Sequence, residues 1–219
     1  MKKFIVVAGN IGVGKSSLVN LLSEYIGWEP FFEPVVENPY LSDFYQDMER
    51  WGFHSQMFFL SHRVNMHQSI TGFQGSVIMD RSIYEDAEIF ANNLFQNGQL
   101  TERDYQTYCT IYHAFKESIH PPDLIIYLRA SVPTLQKRIA QRARSYEREI
   151  SETYLSQLNA LYTKWVRAVD FCPVLTIPAD DFDFVARPNH LALIAEKILQ
   201  RLSGVEEVVF NNHDINHPR

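Results

Sequence analysis

Gly9-Asn10-Ile11-Gly12-Val13-Gly14-Lys15-Ser16 has the spacing G-x-x-x-x-G-K-[ST] and stands between an apolar run, Phe4 to Ala8, and a segment of helical period. In that context the pattern makes a phosphate cradle. The glycines let successive N–H groups turn inward, the following helix adds the positive end of its dipole, and Lys15 supplies a mobile full charge. Ser16 offers a hydroxyl to Mg²⁺, and Ser17 follows it on the first helical turn. A merely structural glycine turn would need neither the strand before nor the helix after.

A triphosphate loop serves GTPase switches, motor ATPases and small-molecule kinases alike. A switch also needs D-x-x-G and N-K-x-D, yet no Asp here is followed three residues on by Gly and no Asn directly by Lys. Two carboxylates instead end apolar runs, at the strand edge where open α/β sheets gather ligands. Asp80, after Ser76 to Met79 and before Arg81-Ser82, can hold Mg²⁺ through water or cap a helix. Glu33, after Trp28 to Phe32, is a general base or substrate ligand if it faces the loop, and a solvated acid if it does not.

Lys137, Arg138, Arg142, Arg144 and Arg148 crowd a stretch whose one acid is Glu147, within a chain of net charge −6. Such a cluster suits the loose, highly charged transition state of phosphoryl transfer, and otherwise reads as a solvated helix face. The negative global charge argues against a nucleic acid polymer as partner.

These residues need a scaffold. The chain has 219 residues, 46% apolar and 21% charged, enough for one globular domain with a sizeable core. Phe4 to Ala8, Trp28 to Phe32, Ser76 to Met79, Leu124 to Leu128 and Val174 to Ile177 read as strands buried on both faces of a parallel sheet, separated by helical segments. One helix carries Leu18, Leu21, Leu22, Tyr25 and Ile26 with Gly27 as its cap; others carry the stripes Tyr105 to Ile119 and Ile150 to Val169, expected as core or subunit contacts. The expected architecture is a three-layer α/β domain over 1–204 with a five-stranded parallel sheet, a lid near 138–148, and a tail at 205–219. Cys109 and Cys172 make no ligand set and read as reduced, buried thiols of a cytoplasmic protein. The apolar run at the N-terminus is too short for a secretory signal, and no stretch reaches the length of a membrane span.

Taken together, the phosphate loop, Glu33-Pro34-Val35, the run from Asn38-Pro39-Tyr40 to Arg63, Asp80-Arg81-Ser82 to Phe90, the lid from Arg138 to Glu147, and Asp181-Phe182 resemble the deoxyribonucleoside kinases, most of all their bacterial deoxyadenosine and deoxyguanosine branch. The resemblance implies the P-loop nucleoside/nucleotide kinase fold and transfer of the γ-phosphoryl of ATP, with Mg²⁺, to a deoxynucleoside 5′-hydroxyl. It gives Glu33 the role of base, with Arg81 beside it. Tyr45 and Glu147 match the pair on the sugar 3′-hydroxyl, Gln56 the amide on the base edge, and Phe90 the ring stacked on it. Arg63 and Asp86 match a charged pair of the members that accept purines and deoxycytidine, which points away from thymidine and makes deoxyadenosine the first choice; the two could equally form a structural ion pair. Arg138, Arg142 and Arg144 match the donor-phosphate arginines, and Arg138 with Phe182 would sandwich the donor base, although Phe182 alone reads as core.

Family members are usually homodimers, and the stripes in Ile83 to Phe95 and Ile150 to Val169 are the expected contacts. Two departures stand out: Asp80 replaces the Glu of animal members, and Asn38 stands where animal deoxycytidine kinases have Trp. The rival readings are a nucleoside monophosphate kinase like thymidylate kinase, which needs further cations for its acceptor phosphate, and a nucleotide-binding regulator, which needs no Glu33.

Overall fold

The computed structural model describes residues 2–32, 38–205, 208 and 210. Five parallel strands form one sheet: β1 (Phe4–Gly9), β2 (Glu29–Phe31), β3 (Val77–Asp80), β4 (Leu124–Arg129) and β5 (Val174–Pro178). Their order is β2-β3-β1-β4-β5. Each is one of the five apolar runs read from the sequence, and every residue of β1 and β3 is buried because helices cover both faces of the sheet. β2 is shorter than its apolar run: it is an edge strand whose ladder with β3 spans only Glu29 to Phe31. Val7 of β1 pairs with Asp80 of β3, so the phosphate loop and the Asp80-Arg81 turn leave the sheet at the same edge.

α1 (Lys15–Ile26) buries Leu18, Val19 and Leu22, and ends at Gly27, whose φ of 72° lets its N–H reach Ser23 O at 2.9 Å. α2 (Leu41–Gln46) and the 25-residue α3 (Met48–Gly72) follow β2. α4 (Ile83–Glu85) runs through a π-turn, Asp86–Ala91, into α5 (Asn92–Gln96). α6 (Glu102–Lys116), α7 (Val132–Arg142), a 3₁₀ turn (Ser145–Glu149), α8 (Glu152–Ala168) and α9 (Pro188–Leu202) complete the chain. No helix among the described residues is long and apolar enough to cross a membrane.

Ile83, Ile89, Leu94, Leu158 and Tyr162 are fully enclosed within a single chain, while Phe95, Leu161 and Val166 of the same segments are only partly buried. One expectation changes. Cys109 and Cys172 are free but half-buried, and burial pushes the Cys172 thiol up to about 12. Packing also reaches past residue 204, because the Phe210 ring meets Phe182 edge-on at 5.0 Å and Lys197 lies over it at 5.3 Å. The tail at 211–219 lies outside the described residues.

His67, on α3, is 2% exposed and packs edge-on to Phe4 at 5.5 Å. Burial and then the Arg63 charge pull its pKa down to about 4 from 6.5. The unfolded chain therefore takes up this proton first as pH falls, so the stability His67 contributes above pH 6.5 is lost on the way down to pH 4. Thermal melts across that range are expected to show wild type losing up to about 3 kcal/mol more than His67→Phe.

Candidate active site

The phosphate loop is pinned from two sides. Gly12 has φ +81°, and a Cβ there would stand 2.6 Å from Ile139 Cγ1, so α7 packs where no side chain fits. Asn10 is buried, and its Nδ2 donates to Leu155 O and Asn159 Oδ1 of α8, both at 2.9 Å. Lys15 folds back over the loop, with Nζ donating to Asn10 O at 3.1 Å. Ser16 Oγ donates to Asp80 Oδ2 at 2.5 Å. A hydroxyl and a carboxylate thus stand side by side at the strand edge, hard oxygen donors of the kind Mg²⁺ prefers.

Arg81 directly follows β3 with φ 71°, the left-handed region, which costs a non-glycine residue about 1 kcal/mol. Its N–H donates to Val7 O at 3.0 Å, and its guanidinium lies over the Phe90 ring, 4.3 Å from the centroid. Next to it Ser82 and Glu85 close a capping box at the start of α4. Glu85 is the site residue that the sequence reading missed, although the spacing S-x-x-E carries the signal for that box. Its fully buried carboxylate accepts from Gly9 N–H at 3.2 Å and from the Tyr162 hydroxyl at 2.7 Å. Burial pushes the Glu85 carboxyl up to about 7, against the opposing pull of Arg81, Lys15, the Tyr162 hydrogen bond and Arg63.

Beside the loop lies a cleft of about 680 Å³ lined by Lys15, Ser16, Leu41, Phe44, Tyr45, Gln56, Arg81, Asp86, Phe90 and the lid residues Arg142, Arg144, Tyr146 and Glu147. Gln56 is 3% exposed and its Oε1 has no hydrogen-bond partner among the described residues, and it lines this cleft. Asp86 and Phe90 both belong to the π-turn, a device found mostly at functional sites. Asp86 is fixed from behind: Arg63 Nε donates to Oδ2 at 2.6 Å and Nη2 to Oδ1 at 3.1 Å, while Nη1 donates to Asp80 O at 3.1 Å. Arg63 itself is fully enclosed and not part of the lining, so it acts on the cleft through Asp86.

The lid closes this cleft from above. Glu147 is 4% exposed and takes both prongs of Arg142, with Arg144 Nη1 at 3.5 Å. Tyr146 lies parallel to Tyr45 across the cleft, with ring centroids 6.2 Å apart and 7° between planes. Tyr45 and Glu147 both line this cleft.

A second, open cleft on the other side of the loop is lined by Val13, Gly14, Ser17, Arg138, Asp181, Phe182 and Phe184 among others. Here the expected sandwich of a base between Arg138 and Phe182 is corrected. The Phe182 ring is 1% exposed and held edge-on by His190 and Phe210, while Arg138 donates to Val13 O and Ala179 O, both at 2.8 Å. Glu33 lies outside the described residues.

The description of the family model that matches residues 5–203 is deoxynucleoside kinase. The chain is 37% identical over 196 residues to the deoxyadenosine/deoxycytidine kinase of Bacillus subtilis, covering 89% of this chain and 90% of that one. It is 34% identical over 211 residues to the deoxyguanosine kinase of Lactobacillus acidophilus, covering 92% and 91%. Among solved structures, the deoxyadenosine kinase of M. mycoides with the products dCMP and a flexible dCDP bound superposes with TM-score 0.81 at 31% identity, over 90% of this chain and 99% of that one.

Removing the Asp86 carboxylate leaves the enclosed Arg63 guanidinium without its counter-ion. Urea unfolding of Asp86→Ala is expected to show a loss of about 3–5 kcal/mol, with part of it recovered when Arg63→Met is added.

Proposed function

The chain belongs to the deoxynucleoside kinase family, and we propose that it transfers the γ-phosphoryl of ATP to the 5′-hydroxyl of a deoxyribonucleoside in nucleotide salvage, with deoxyadenosine as the preferred acceptor. The observation that supports an acceptor with an exocyclic amino group is that Gln56 and Asp86 line the same cleft. The carboxylate, held immobile by Arg63, can only accept hydrogen bonds while ionised, and the carboxamide presents an unpartnered Oε1. An exocyclic amino group, present on adenine and cytosine and absent from thymine, satisfies such acceptors. Leaving them unpaired costs affinity for thymidine.

In this reading Tyr45 and Glu147 hold the sugar, with Tyr45 filling the space a 2′-hydroxyl would need, and Phe90 supports the base. The N–H groups of Gly9 to Gly14, with Lys15, Arg142 and Arg144, spread over the charge that develops on the transferred group. Ser16 and Asp80 would hold Mg²⁺, which supplies further charge neutralisation on the β- and γ-phosphates. The second cleft, with Ser17, Arg138 and Asp181, takes the nucleoside end of the donor, without the Phe182 stack. Glu33 accepts the 5′-hydroxyl proton, and Arg81 keeps that acid ionised.

Two measurements test this. Glu33→Gln is expected to retain ATP binding while turnover falls by about 10²-fold or more; near-normal turnover would remove the base assignment. A panel of four deoxynucleosides with ATP and Mg²⁺ is expected to give the highest kcat/KM for deoxyadenosine, with deoxycytidine and deoxyguanosine behind and thymidine last. Thymidine in first place would overturn the acceptor reading.

A further inference from the structure

Glu85 has no part in the transfer as set out above, yet it touches the phosphate loop directly. Its Oε1 accepts from Gly9 N–H at 3.2 Å and from the Tyr162 hydroxyl at 2.7 Å. Its Oε2 accepts from Ser82 N–H at 3.1 Å and from Ser82 Oγ at 3.4 Å. The charged and titratable groups facing it are Lys15 from α1, Arg63 from α3, Arg81 from the turn after β3, Tyr162 from α8 and Tyr127 from β4. The neighbouring acids Asp80 and Asp86 are engaged by Ser16 and Arg63.

The Tyr162 hydroxyl also stands 2.8 Å from Gly9 O. A phenol has one hydrogen to give, so two arrangements fit the same atoms. With Glu85 ionised, Tyr162 donates to Oε1. With a proton on Oε1, the acid donates to the Tyr162 oxygen and the phenol hydrogen turns to Gly9 O. Glu85 is fully hydrogen-bonded in both, an unusual provision for an enclosed acid. Tyr162 itself stays neutral throughout, since burial and then the Glu85 charge hold its pKa well above the ordinary value.

We propose that Glu85 is a positioning residue that takes up one proton from solvent as nucleotide phosphates enter the loop, with the Tyr162 hydroxyl turning from Glu85 to the Gly9 carbonyl. No other bond forms or breaks. The reason is the change of neighbours. In the ligand-free site Lys15 and Arg81 favour the ionised acid against burial. Phosphates claim the Lys15 charge and bring their own negative charge close by, and both effects favour the neutral form. The acid already lies near the neutral range through burial, so the added field has little distance to cover. The inference rests on the reading of the loop as a triphosphate site.

Calorimetric titration with the magnesium complex of a non-hydrolysable ATP analogue, at pH 7.5 in two buffers of different ionisation enthalpy, counts the protons taken up. Wild type is expected to take up at least about 0.3 proton more than Glu85→Gln, and its affinity is expected to fall several-fold relative to that variant between pH 7 and pH 9. Tyr162→Phe keeps the ring but removes the oxygen that receives the acid's hydrogen, so its uptake is expected to drop as well; this comparison stands even if Glu85→Gln does not fold. Equal proton numbers in wild type and either variant, with the analogue still bound, would overturn the coupling and leave the kinase reading intact. No binding by wild type at any pH would overturn both.

Discussion

The site is organised by the need to balance charge that has been taken out of water. Lys15, Arg63 and Arg81 are buried at one end of the sheet with Asp80, Glu85 and Asp86. An enclosed ion without a partner costs several kcal/mol, so the positions of these six groups are set by one another. Arg63 grips Asp86 and the last carbonyl of β3 together, and Glu85 ties Gly9 to the Ser82 turn. All three acids and one of the cations come from the last residue of β3 and the short segment that follows it. That concentration accounts for its irregular backbone: a left-handed arginine and a π-turn aim side chains that a regular helix would have sent elsewhere.

α8 extends this arrangement toward the lid. It begins directly after the 3₁₀ turn that carries Tyr146 and Glu147. Its Leu155 and Asn159 hold the Asn10 side chain, Tyr162 reaches Gly9, and Asn159 also donates to Ala130 O at the end of β4. The helix therefore joins the segment that carries Tyr146 and Glu147 to the start of the phosphate loop through hydrogen bonds.

Much of this was legible in the sequence because it is local. The phosphate loop, α1 with its Gly27 cap, and five apolar runs each carry their own signal within a dozen residues. Strand order does not, since it depends on which distant runs pair. α3 carries no apolar stripe because the face it buries is largely polar, with Gly52, Ser55, Gln56, Arg63 and His67 beside Leu60, Val64 and Ile70. The stripe on α8 was legible as buried, but periodicity reports only that a face is covered and not by what: Leu158 and Tyr162 meet their own core. Phe182 by itself reads as core and the base contact came only from the resemblance; the rings that enclose it, His190 and Phe210, come from farther along the chain. Glu85 could have been read from its distance to Ser82, but nothing local shows that its carboxylate reaches back across the sheet edge to Gly9.

Arg142 and Arg144 already hold an anion of their own, the Glu147 carboxylate. In the reading proposed above, an entering polyphosphate would compete with a tenant gripped by two prongs, which a chloride or a singly charged ester does poorly. The displaced carboxylate would then stand available to a hydroxyl donor in the neighbouring cleft, so that under this reading one side chain serves both halves of the site by turns.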